Sequence, residues 1–202
     1  MFGADVLPPR PLEGLAVVGP DDVDTALASA RRVVVVGADA DLAAVLTRLL
    51  RAELLNVEVA YVPRRRTPAT RAYRLPSGRR AAGRARRGSA QRVPLIRDET
   101  GSVIVGSAEW RPTDAELLHG EALVDDAVLF DGDVAGVRIE PTVALPGLRA
   151  RVSGRRSRRW LTGRAAQLGG TGAMVVRDGV AAPRTTYRST IYRNTEGWLL
   201  VR

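Results

Sequence analysis

The chain has 202 residues, 45% of them apolar and 26% charged, a composition that supports a buried core and argues against wholesale disorder. It has no cysteine and one histidine, His119, which excludes disulfide scaffolds, thiol catalysis, Cys-ligated metal centres and any His-rich metal site. The formal charge is +9, from 31 basic residues against 22 acidic, and every basic residue is Arg. A Lys-free, Arg- and Ala-rich chain also points to GC-rich coding, which sets mutational bias beside function as an explanation of the Arg excess. No apolar run approaches the roughly 20 residues that span a bilayer. Met1 to Arg10 lacks the charged-then-apolar pattern of a secretory signal, so a cytoplasmic location is the default expectation.

Residues 1–13 hold three prolines, Pro8, Pro9 and Pro11, and read as an irregular lead-in. Leu15 to Val18 is a short apolar run with the length of a strand. Pro20-Asp21-Asp22 suits the first turn of a helix, where free N–H groups and the positive dipole end lie. Val23, Ala26, Leu27 and Ala30 continue at helical spacing. Val33 to Val36 is β-branched without polar alternation, the pattern of a strand buried on both faces of a parallel sheet. Gly37-Ala38-Asp39-Ala40-Asp41 is a turn. Leu42, Val45, Leu46, Leu49 and Leu50 then form an apolar helical stripe. Val57 to Val62 is the next strand, stopped by Pro63. The expected order from Leu15 to Val62 is β-α-β-α-β, packed as a right-handed parallel sheet.

After Leu75 the character changes. Residues 77–92 are mainly Arg, Gly, Ala and Ser and read as a flexible basic loop. From Val93 onward, short β-prone runs alternate with Gly, Pro and Asp: Ser102–Val105, Ala127–Phe130, Val137–Ile139, Ala173–Val176, Thr185–Tyr192 and Trp198–Val201. Asp131-Gly132 and Asp178-Gly179 carry turn chemistry, and residues 113–123 read as one helix. The expected organisation is an α/β domain over 1–76, a basic loop over 77–92 and a β-rich domain over 93–202. The last is an antiparallel sheet or sandwich.

In an open α/β sheet, ligands gather at the carboxyl ends of the strands. Two segments fall there. One is Gly37 to Asp41, where Asp39 and Asp41 compete with any anion for the free amides of the following helix and Asp41 suits its N-cap. The other is Pro63 to Arg71, heading a stretch with Arg64, Arg65, Arg66, Arg71 and Arg74 within 11 positions. Guanidinium forks match phosphate oxygens, and Thr67 and Thr70 add hydroxyl donors. The alternative for this run is a solvated surface.

Together these loops resemble the catalytic domain shared by diacylglycerol kinases, sphingosine kinases and, more distantly, NAD kinases. That family has a strand, a Gly-Gly-Asp-Gly-Thr turn and a helix, then a strand ending in a Pro-x-Gly-Thr-x-Asn-Asp-x-Ala loop closed by Leu-Pro. Gly37 to Asp41 stands at the first motif. Pro63 onward, with Ala72 and Leu75-Pro76, stands at the second. The resemblance covers residues 15–76 by motif and implies a β-sandwich after them. It implies ATP and Mg²⁺ as cofactors and a lipid or small-molecule hydroxyl as acceptor. The two loops give Gly37, Asp39, Asp41, Arg64, Arg65, Arg66, Thr67 and Arg71 as the expected walls of a phosphate site. The departures point to a degenerate member: Ala38 and Ala40 replace glycines that let backbone approach phosphate. Asp41 replaces the threonine, and the second loop has no Asn-Asp. The expected function is therefore binding of a phosphate-bearing ligand, such as a phosphorylated small molecule or anionic lipid, with kinase activity weakened or lost.

Other clusters carry less. Arg149, Arg151, Arg155, Arg156, Arg158, Arg159 and Arg164 surround Trp160, a mixture that suits nucleic acid or an anionic membrane surface but equally an Arg-rich hairpin. Asp125, Asp126, Asp131 and Asp133 could hold Mg²⁺ or form turns. Glu121 and Asp125 are conceivable general bases. His119 reads as a surface or capping residue. Gly169-Gly170-Thr171-Gly172 reads as a bulge before it reads as a phosphate loop. No G-x-S-x-G elbow supports hydrolase chemistry. The alternatives to the kinase-like reading are an Arg-rich module for nucleic acid or anionic membrane, and a structural partner-binding domain.

Overall fold

In a computed structural model, described for residues 9–19, 22–113, 116–154 and 159–202, the valine run forms β1 (Arg32–Val36) after α1 (Val23–Ser29). It leads into α2 (Asp39–Arg51), whose Leu42, Val45, Leu46 and Leu49 are completely buried. Each such side chain contributes about 1.5–3 kcal/mol by leaving water. Next come β2 (Glu58–Val62), α3 (Pro68–Ala72), α4 (Gly78–Arg87) and β3 (Ala90–Val93). The chain divides into two units, Met1–Val93 with Glu196–Arg202, and Pro94–Thr195.

The first unit departs from a purely parallel β-α-β-α-β sheet. Leu15–Val18 is not a strand; Leu15 and Val17 are exposed. The third parallel strand comes instead from the end of the chain. Trp198–Val201 pairs parallel with β2 (Leu199 opposite Glu58) and antiparallel with β3 (Trp198 opposite Val93). The order is β1, β2, C-terminal strand, β3, so the sheet is mixed. The physical reason is burial. Trp198, Leu200 and Val201 are at most 3% exposed, and Trp198 meets Tyr73 edge-on at 5.4 Å between ring centroids.

Residues 77–92 are not a loop either. Ala81, Ala82 and Ala85 give α4 a narrow buried stripe. Small residues let the helix lie close to the sheet, while the arginines keep their charge in water. Gly88 ends the helix where a Cβ would lie 2.8 Å from the Arg84 carbonyl oxygen. Arg32 secures that end. Its guanidinium donates to the carbonyls of Ala85 (3.0 Å) and Gly88 (3.0 Å) and pairs with Glu58 at 2.6 Å. A cation is favourable at this negative end of the helix dipole.

The second unit is antiparallel. It comprises β4 (Ile96–Asp98), β5 (Val103–Ile104), β6 (Ala108–Arg111), β7 (Leu118–Val124), β8 (Ala127–Val134) and β9 (Val137–Pro141). After these follow β10 (Leu148–Val152), β11 (Leu161–Gly163), β12 (Ala165–Arg177), β13 (Val180–Ala181) and β14 (Thr186–Arg193). The path is β11-β10-β9-β6-β12-β14-β4-β5, with β7 joined to β12 and β8. The helix expected over 113–123 is absent from its described part, because Leu118, Ala122 and Val124 are buried at even spacing, the period of a strand. Asp131-Gly132 lies inside β8, and the turn before that strand is at Asp125-Asp126. Asp178-Gly179 does form its turn. Both residues have positive φ, as a tight hairpin requires.

The glycines at 169–172 are a bend in the long strand β12. Its register against β14 shifts between Gly169 and Ala173. A Cβ on Gly170 would lie 2.6 Å from the His119 carbonyl oxygen. Close strand packing, rather than a phosphate, accounts for glycine there.

Candidate functional site

The turn after β1 is an internal hydrogen-bond network. Asp41 does not cap α2 from the expected position. Ala38 is the N-cap, and Asp41, three residues on, accepts the Ala38 N–H at 2.7 Å. Asp39 is 7% exposed. It accepts the Tyr61 hydroxyl at 2.8 Å and the Ala69 N–H at 3.0 Å. Tyr61 also lies 3.3 Å from the Gly37 carbonyl oxygen, as donor. Asp39 therefore ties the first loop to the start of α3, and the two segments that the sequence singled out meet. Thr67 caps α3: it accepts the Thr70 N–H at 3.2 Å, and the Thr70 hydroxyl oxygen accepts the Thr67 N–H at 2.8 Å.

Burial, and then the Asp39 charge beside it, raise the Tyr61 hydroxyl far above the ordinary tyrosine value. In the unfolded chain it would ionise near pH ~10, while the folded chain keeps the proton. This contribution to stability is intact below that pH and is lost as pH rises past it. Urea midpoints followed from pH 8 to 11 are expected to fall more steeply for the wild type than for Tyr61→Phe. Parallel curves would show that the hydroxyl does not sit in this network.

The arginines after β2 separate. Arg64 and Arg65 are exposed and lie outside any cavity wall described. Arg66, Arg71 and Arg74 line a groove of about 980 Å³. Four arginines of α4 complete it: Arg79, Arg80, Arg84 and Arg87. Arg202, directly after the C-terminal strand, is the eighth. Leu75, Pro76, Gly83, Gly88 and Ser89 make up the rest, so among the described residues no acidic and no aromatic side chain lines it. The whole groove belongs to the first unit.

The sequence analysis found two of these eight within its site and assigned the α4 arginines to a loop. The signal it missed is the spacing of Ala81, Ala82 and Ala85, an apolar stripe made of the smallest apolar side chain. Arg74 is at φ +56°, in the left-handed region. It closes α3, with the Leu75 N–H donating to the Thr70 carbonyl at 2.8 Å, a position usually given to glycine.

Elsewhere many arginines are matched. Arg48 pairs with Asp24, Arg92 with Glu196, Arg138 with Glu109 and Glu140, and Arg177 with the buried Asp98. Among the described residues none of the eight groove arginines has a carboxylate partner.

The cluster around Trp160 is engaged within its own unit. Arg149 and Arg151 stack on the indole, 4.3 and 4.7 Å from its centre. Arg149 also pairs with Glu140 at 2.6 Å. Burial alone would raise the Glu140 carboxyl, but Arg138 and Arg149 outweigh it and hold it lowered. Arg155, Arg156 and Arg158 lie outside the described residues.

Asp125 accepts the N–H groups of Arg164 and Ala165 at about 2.9 Å, and Asp133 meets His119 at 2.8 Å on the surface. Among the described residues no three His, Asp or Glu side chains converge where they could hold a metal ion. Among the described residues no helix is long and apolar enough to cross a membrane.

No family model matches the chain, and no curated protein matches it by sequence. Solved structures do match by fold. A protein described as a diacylglycerol kinase from Bacillus anthracis str. Sterne superimposes with a TM-score of 0.70 at 9% identity, over 90% of this chain and 81% of its own. A second diacylglycerol kinase structure from that organism gives 0.66 at 9% identity, over 90% and 79%. An NAD kinase from Archaeoglobus fulgidus, in complex with ATP, gives 0.60 at 13% identity, over 85% and 78%. At such identities the likeness is one of architecture, a small α/β sheet followed by a large antiparallel one. The chain has the fold of the diacylglycerol kinase and NAD kinase structures.

Proposed function

We propose that this protein uses a lipid-kinase-like fold to bind a phosphate-bearing ligand, and that phosphoryl transfer is weakened or lost. The observation that carries the reading is the groove of eight arginines, none with a carboxylate partner among the described residues. Guanidinium–phosphate pairs are the natural complement of such a wall. It draws on the segment after β2 and the residue after the C-terminal strand, and so on the carboxyl ends of two parallel strands, where open α/β sheets collect ligands.

The turn after β1 supports the second half of the reading. Its residues do not fit the phosphates of ATP. The Ala38 amide is already given to Asp41, and the Ala69 amide to Asp39. Both carboxylates would repel a phosphate approaching the start of α2.

Calorimetric titration with inorganic phosphate, ADP and Mg·ATP tests this, alongside transfer of labelled phosphate from ATP to diacylglycerol in vesicles. Phosphate ligands are expected to bind, Arg71→Ala to weaken them about tenfold, and transfer to be absent. Absence of heat with every phosphate would overturn the binding reading. Transfer above background would restore the kinase.

A further inference from the structure

We infer that the groove recognises its ligand by phosphate alone, and that the ligand carries about three to four phosphate groups on a compact frame. This rests on the reading that the groove binds phosphate, and it names the class of ligand.

The first argument is charge. Eight arginines line the groove and, among the described residues, no acidic side chain does. A phosphate monoester brings roughly −1.5 to −2 at neutral pH, so a single one leaves most of that charge uncompensated. Three or four bring the wall close to neutrality.

The second argument is α4 itself. It contains five arginines and no acid. Arg80, Arg84 and Arg87 follow one another at helical spacing on one face, where like charges repel. Arg79 and Arg80 sit in its first turn, where the dipole disfavours cations. Both costs are removed by a polyanion lying along the helix. Arg74 adds to this, since it holds a left-handed backbone conformation with a side chain that lines the groove.

The third argument is what the groove lacks. Nucleobases are held chiefly by stacking on aromatic rings, and among the described residues no aromatic side chain lines it. A base attached to the phosphates finds no aromatic platform there, which leaves the phosphates to carry recognition. The volume of about 980 Å³ is at the upper end of small-ligand sites, ample for several phosphates. Arg48, Arg92, Arg138, Arg149 and Arg177 stand beside carboxylates, and the groove arginines do not.

The test is a calorimetric series on the full chain: inorganic phosphate, pyrophosphate, tripolyphosphate, inositol hexakisphosphate, ATP without metal, and a short DNA duplex. Affinity is expected to rise roughly tenfold per added phosphate, so tripolyphosphate binds about 100-fold more tightly than phosphate. ATP is expected to bind no more tightly than tripolyphosphate. The double variant Arg79→Ala/Arg80→Ala should lose most of the gain from tripolyphosphate while keeping the affinity for inorganic phosphate. Arg74→Gly should raise Tm and weaken tripolyphosphate binding, which separates a ligand role from a folding one.

Equal affinity for phosphate and tripolyphosphate would overturn this inference and leave the phosphate-binding reading standing. Binding of none of the probes would overturn both. ATP tenfold tighter than tripolyphosphate would show that the base is read, and a duplex preferred over tripolyphosphate at equal phosphate concentration would assign the groove to nucleic acid. Either result overturns the inference.

Discussion

Deleting residues 196–202 is expected to abolish the native state of the first unit. Trp198–Val201 is not a tail laid over a finished sheet, since it lies between β2 and β3 and pairs with both. Its loss takes Trp198 and Leu200 out of the core, both at most 1% exposed. Truncating one buried Trp costs about 3–5 kcal/mol and one buried Leu about 2–5. The backbone groups of two strands would also lose their partners. The sum reaches the whole stability of a typical domain, about 5–15 kcal/mol. The measurement is amide-proton NMR of the truncated chain. Collapse of the dispersed signals of β1, β2 and β3 is the expected result, and a native-like spectrum would disprove the central role of the strand. The point substitution Trp198→Ala should lower the urea midpoint without removing the transition.

Asp39→Ala is the second large effect, expected to destabilise the protein by about 3 kcal/mol. Two donors lose a buried carboxylate, the Tyr61 hydroxyl and the Ala69 amide. Hydrogen bonds to a charged group contribute about 1.5–3 kcal/mol each, and Tyr61 retains the Gly37 carbonyl as a partial substitute. Asp39→Asn keeps one acceptor and should cost less. Because Asp39 holds the start of α3, which carries Arg71, the Ala variant should also bind tripolyphosphate more weakly. Urea denaturation and calorimetry on the same samples decide between two roles. Unchanged stability with lost Mg·ATP binding would make Asp39 a ligand-facing residue and revive the family's nucleotide turn.

Some of this was legible in the residues alone. The valine run of β1 and the apolar stripe of α2 have only one good way to be buried, so local pattern and tertiary structure agree. The tight turn at Asp178-Gly179 follows from its own chemistry, and the bend at 169–172 from its glycines. The Pro63–Leu75 segment stood out by charge, and three of its arginines, Arg66, Arg71 and Arg74, do line the groove.

What the tertiary structure decided lies in contacts distant along the chain. Leu15–Val18 and Trp198–Val201 are both short apolar runs. Only the second finds strand edges on both sides, and nothing in its neighbours announces that it returns across more than a hundred residues to pair with β2. Residues 78–87 looked structureless because Ala is a weak signal of burial. Ala becomes a core residue only when a flat sheet lies close enough for a methyl group to fill the gap. That same packing turns a basic stretch into a helix with arginines on one face and sets them opposite Arg66, Arg71 and Arg202. Composition alone determined that the chain would be strongly basic. Its fold determined that eight of those arginines would line one groove with no acidic side chain beside them among the described residues.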